Sequence, residues 1–110
     1  MQLSYAHTGI PITHQLGGMR YAPPMKLWIS DPTISPDGIE YLYFEEGSPA
    51  PSMMKTHTHV ALSTDDLDEA AAWCDEVVLG PFEDEPLPGM KQDVLFARKD
   101  DLLIEFCCSQ

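Results

Sequence analysis

Basic residues are scarce. Six lysines and arginines stand against 18 aspartates and glutamates, a formal charge of −12. A surface that acidic repels phosphate backbones and anionic lipid headgroups, which argues against nucleic-acid and membrane-surface roles. Long apolar runs are absent, and no stretch approaches the roughly 20 residues that span a bilayer. The opening MQLSYAHTGI has neither the basic region nor the apolar run of a signal peptide. Cysteine is sparse as well: three residues, at 74, 107 and 108, an odd number with no CxxC spacing. That excludes a disulfide framework, a zinc ribbon and a thioredoxin-like site, and it predicts free thiols in a reducing cytosol. What is present is 110 residues, 44% hydrophobic and 22% charged, the size and balance of a single globular domain.

Ten prolines and seven glycines punctuate the chain, mostly before residue 52. Pro23-Pro24, DPTISPDG at 31–38 and GSPAPS at 47–52 predict turns or loops. Between them, YAHTGIPIT, KLWIS and GIEYLYFE have the length and the aromatic or β-branched content of strands. The texture then changes. HTHVALS alternates as a strand does, and TDDLDEAAAWCDEV predicts a helix over 65–77. Thr64, Asp65 or Asp66 can cap it, and the acidic first turn suits the helix dipole. Leu67, Ala70, Ala71, Cys74 and Val77 or Val78 form its apolar face. Gly80-Pro81 closes that unit, and PFEDEPLPG reads as a loop with at most a short strand. KQDVLFARK and DLLIEFCCS are strands joined by a tight turn at 99–101. One helix against many strands makes the class α+β.

Two segments echo one another. KLWISDPTISPDGIEYLYF and DVLFARKDDLLIEFCC are each a strand, a turn and a strand carrying Ile-Glu-aromatic. Each is preceded at a distance by a histidine that opens a strand, in AHTGIPI and THVALST. His7 to Glu40 is 33 residues, His59 to Glu105 is 46, and the difference of 13 is about the length of the expected helix. The simplest account is one βαβββ module written twice, with the first helix deleted or shortened to the QLGGMRYAPP loop. The modules then divide a single domain, 1–110, as 1–50 (truncated) and 57–110, with 51–56 as a linker.

Strand alternation places Glu105 with Leu103 and Cys107, and Glu40 with Leu42 and Phe44. A carboxylate among apolar neighbours needs a partner, because burying it alone costs several kcal/mol or neutralises it. His57 and His59, two apart, face the same way, and His7 opens the other histidine-bearing strand. Two histidines and two glutamates converging in a sheet would bind a divalent cation such as Ni, Co, Mn, Fe or Zn, with open positions for water or substrate. No short-range ligand motif of the HExxH kind is present. The same spacing also fits histidines held by structural hydrogen bonds and glutamates facing solvent. His14 and His57 remain available to replace a member of the set. The Cys107-Cys108 pair points to opposite faces, which favours small buried packing roles. Trp28, Trp73, Phe82, Phe96 and Phe106 read as core, Met53-Met54 as adaptable packing, and the acidic runs as solvated surface.

With these residues in view, the sequence resembles the vicinal oxygen chelate superfamily, which holds glyoxalase I, methylmalonyl-CoA epimerase, bleomycin-resistance proteins and extradiol dioxygenases. The strongest match is residues 57–106, from HTHVALSTDDLDEAAAWCDEVVLGPF to DVLFARKDDLLIEF, and the looser one runs from AHTGIPI to GIEYLYF. The resemblance implies paired βαβββ modules forming a curved, cleft-bearing mixed sheet. It implies metal ligands from the first and last strand of each module: His7, Glu40, His59 and Glu105. It also implies chelation of vicinal substrate oxygens, an enolate or enediolate, and a proton shuttled by Glu105 or Glu40. The leading expectation is therefore a metal-dependent lyase or isomerase of the glyoxalase/epimerase kind. Loss of one ligand would leave the two-histidine, one-carboxylate set of an Fe(II) extradiol-type dioxygenase. Superfamily members that bind or sequester small molecules without catalysis supply a third expectation. All three imply a small-molecule partner and a homodimer, and the cysteine usage implies a cytoplasmic setting.

Overall fold

The computed structural model describes residues 1–110. In chain order its elements are β1 (Leu3–Ile12), β2 (Arg20–Ala22), a 3-10 turn (Pro23–Met25), β3 (Leu27–Ile29), β4 (Ile39–Phe44), α1 (Ser52–Thr56), β5 (His59–Thr64), α2 (Leu67–Trp73), β6 (Glu76–Leu87), β7 (Met90–Lys99) and β8 (Leu102–Ser109). They divide into two compact, β-rich units. One is His7–His59, and the other joins Met1–Ala6 to Val60–Gln110. The class is α+β, as expected.

In the His7–His59 unit the strand order is β2-β3-β4-β1. The β1–β4 pair is parallel, with Gly9 opposite Glu40, while β2–β3 and β3–β4 are antiparallel. A parallel pair needs a long crossover. Here the crossover is β2, the 3-10 turn and β3, where a full module would carry its helix. The stretch expected as a bare loop thus contains a three-residue strand, Arg20–Ala22, and one tight helical turn that ends on Lys26 at φ 47°. The β3–β4 connection is built by side chains. Asp31 accepts from the Thr33 N–H at 2.8 Å, and Asp37 accepts from the Ile39 N–H at 3.0 Å and from the Ser35 and Tyr41 hydroxyls. Residues 52–56, within the segment expected to link the modules, form the single turn α1, which buries Met54. Lys55 Nζ donates to the Ser48 carbonyl at 2.6 Å and ties that turn down.

In the other unit the order is β5-β8-β7-β6, with β6–β7 and β7–β8 antiparallel. Helix α2 lays Ala70 on Leu95, Ala97, Ile104 and Phe106, with Leu62, Leu67, Ala71 and Cys74 around that cluster. Asp66 caps the helix by accepting from the Glu69 N–H at 3.0 Å. The helix stops at Trp73, short of the expected 77. The Asp75 N–H donates to the Arg98 carbonyl at 2.9 Å, so the backbone there is already captured by β7. Val77 and Val78 consequently belong to β6 rather than to a helix face. Strand β6 continues to Leu87 through what was expected to be a loop. It lies at the end of the strand order, where a proline's missing N–H costs no ladder bond, and its register shifts around Pro81 and Pro86. Gly80 adopts φ 100°, and a Cβ there would meet the Val94 carbonyl oxygen at 2.7 Å. Two aromatic assignments change: Trp73 is 47% exposed under the Lys99 ammonium, and Phe82 is 37% exposed.

Candidate metal centre

The site is assembled first by the β1–β4 pair. His7 lies within β1, four residues after its start, and does not open the strand. Its Nε2 stands 3.4 Å from Glu40 Oε1 of β4, and both side chains are mostly buried, at 16% and 17% exposure. His59 opens β5, and at 2% exposure it is among the most buried side chains of the protein. Its ring meets that of His7 edge-on, with centroids 6.0 Å apart. The Nε2 atoms of both histidines are shielded from solvent.

Gly9 makes this arrangement possible. A Cβ at position 9 would fall inside van der Waals contact of His59 Cε1, Nε2 and Nδ1, 2.8 Å from the last. The imidazole therefore rests directly on backbone, beside the residue paired with Glu40. An isolated glycine inside a strand often marks such a close approach. That signal was present in AHTGIPI, but which ring approaches is not a property of local sequence.

Glu105 lies in β8 between Ile104 and Phe106 and is 7% exposed. Cys107, two residues on, donates its thiol to Glu105 Oε2 at 3.1 Å. The pairing is local, yet its significance depends on Glu105 being buried.

One ligand atom from each of His7, Glu40, His59 and Glu105 lies within 4.8 Å of the other three. The donor set fits a divalent cation. The 4.8 Å limit between donor atoms is close to the roughly 4.2 Å that two bonds of about 2.1 Å to one ion can span. Two neutral histidines and two carboxylates also balance a charge of +2, whereas two such carboxylates without a cation or a proton repel. Nitrogen and carboxylate oxygen together suit Ni, Co, Mn, Fe or Zn. His14 and His57 stand outside the cluster, and both are exposed. His57 caps the end of α1 and is exposed where His59 is buried, and its Nδ1 lies 2.8 Å from Thr56 Oγ1.

Two β-rich modules, the first without a full helix, and a cluster of two histidines and two glutamates together match the architecture of the vicinal oxygen chelate superfamily. No protein-family model matches the chain, and no curated protein does. Among solved structures, the chain is similar to the crystal structure of the hypothetical protein BH1468 from Bacillus halodurans C-125. The TM-score is 0.62 at 20% identity, over 100% of this chain and 96% of that one. At that identity the likeness speaks to the fold alone.

Proposed function

We propose that this protein is a metal-dependent lyase or isomerase of the glyoxalase/epimerase kind, acting on a small substrate with vicinal oxygens. The observation that carries this reading is the four-residue cluster, with ligand atoms within 4.8 Å of one another. His7, Glu40, His59 and Glu105 would hold the ion and leave room on it for a chelating substrate. A divalent ion held there would supply Lewis acidity, lowering the cost of charge that develops on a substrate oxygen when a neighbouring carbon loses its proton. The chain's own contribution is to exclude water, orient the substrate and move the proton. Glu105 or Glu40 is the group we assign to that transfer, since a carboxylate positioned at the reacting carbon can accept and return a proton. Glu105 is sealed among β8 neighbours and linked to a thiol, and Glu40 is paired with His7.

The dioxygenase alternative asks for three ligands, and four side chains standing together make it the weaker reading. A non-catalytic binder remains the competitor. The three cysteines, none of them in a disulfide, favour a reducing cytoplasm. No helix is long and apolar enough to cross a membrane. Strand β6, with no strand beyond it in the order and with Val77 and Leu87 exposed, favours a homodimer, which sedimentation would check.

The test is the metal content of untagged protein by elemental mass spectrometry, before and after chelation and reconstitution. Close to one Ni, Co, Mn, Fe or Zn per chain is expected, and Glu105→Gln is expected to lose both metal and turnover. Wild-type protein that holds no metal and takes up none would return the four residues to structural roles and favour the binder. Unchanged metal affinity in the variant would remove Glu105 from the ligand set.

A further inference from the structure

We infer that Cys107 is a positioning residue for Glu105, holding one carboxylate oxygen so that the side chain stays directed for metal binding. This rests on the metal-centre reading above. Both residues are 7% exposed, and the thiol sulfur lies 3.1 Å from Glu105 Oε2. Strand alternation puts residues two apart on one face, so β8 presents the donor beside the acceptor without any change of backbone. On β7 their partners are Phe96 and Val94, both apolar.

The choice of donor matters. A lysine or arginine at 107 would hold the carboxylate more firmly but would neutralise the charge that a cation needs. A thiol is uncharged and a weak donor, and it occupies one of the roughly four acceptor positions of the two oxygens. It therefore restricts the rotamers of a long side chain while leaving its charge available, and burial strengthens the bond relative to water. Ligands of metal sites are commonly oriented by such partners, whose loss typically weakens metal binding about 10–100-fold. Adjacent Cys108 is a control. It is less buried, and its sulfur contacts only the Ser109 carbonyl at 3.9 Å, a distant contact.

Two measurements separate this inference from the reading on which it rests. The first uses metal-free protein. The infrared S–H stretch lost in Cys107→Ser should lie at lower frequency than that lost in Cys108→Ala, and it should move up in Glu105→Gln. The second is Co(II) titration followed by the visible d–d spectrum. Cys107→Ala should bind Co(II) about tenfold more weakly with an altered spectrum. Cys107→Ser, which keeps a donor, should recover most of both, and Cys108→Ala should match wild type. Circular dichroism confirms folding, and if Cys107→Ala does not fold, the S–H band and Cys107→Ser decide. An unshifted S–H band, or wild-type affinity and spectrum in Cys107→Ala, overturns the positioning role while leaving the metal centre intact. A thiolate-to-cobalt charge-transfer band overturns it by making Cys107 a ligand. Wild type that binds no cobalt despite a shifted S–H band overturns the metal centre, and the positioning role with it.

Discussion

Gly9 shows how a residue without a side chain can decide what a site holds. Glycine in a strand interior forfeits packing and backbone entropy, so its presence needs a return. Here the return is space for the His59 ring, which a methyl group at position 9 would overlap. Imidazole is rigid, and the overlapped atoms include both ring nitrogens. Relief therefore requires moving the whole ring or the β1 backbone. Gly9→Ala should destabilise the protein by about 1–3 kcal/mol, the usual cost of overpacking, read from the urea midpoint. It should also weaken Co(II) binding more than it weakens folding, because His59 is displaced from His7 and Glu40. A variant with wild-type affinity would mean that the ring's place on the backbone is irrelevant to the site. The four clustered residues were legible through the family resemblance, with strand position and spacing in support. Gly9 and Cys107 were not, because each matters only through a neighbour that strand pairing or burial supplies.

At the scale of elements, the connection between β3 and β4 carries a titration of its own. Hydrogen bonds from the Ser35 hydroxyl, the Tyr41 hydroxyl and the Ile39 N–H pull the Asp37 carboxyl down to about 2, from an ordinary 3.8. Its folded value is thus depressed, so the stability it contributes is fully present above 3.8 and is lost as pH falls towards and through about 2. Asp37→Asn should lower the urea midpoint by a constant amount at neutral pH, and the gap from wild type should close over that acid window. A gap that persists unchanged at pH 2 would place the effect in shape rather than charge. The elements were legible to different degrees for physical reasons. Strand content, a helix cap within 64–66 and the β7–β8 turn follow from local alternation and capping chemistry. The end of α2 does not: DEVV continues a helical pattern, and pairing with β7, beginning at the bond from Asp75 to Arg98, draws that segment into a strand. The β6 segment PFEDEPLPG reads as a loop from its prolines, yet an edge position tolerates them.

For the whole molecule, metal binding and folding should be linked. A charge of −12 on 110 residues raises the local concentration of cations and at the same time opposes compactness through self-repulsion. An ion that binds only the folded chain adds about 2.7 kcal/mol of stability when free metal is 100 times its dissociation constant. For a domain of this size, that corresponds to a rise in Tm on the order of 10 °C. Thermal unfolding in Ni, Co, Mn, Fe and Zn salts, each reversed by chelator, should therefore single out the preferred ion by the largest rise. Glu105→Gln should abolish the rise without abolishing the fold. Raising ionic strength from about 0.01 to 0.1 M shortens the screening length from about 30 to 10 Å and should weaken the apparent metal affinity. That salt effect belongs to the distributed acidic surface, so it should survive in Cys107→Ala, whose loss is local and short-range. If every ion leaves Tm unmoved in wild type, two histidines and two glutamates at coordination distance are a structural cluster, and the protein's ligand must be sought without a metal.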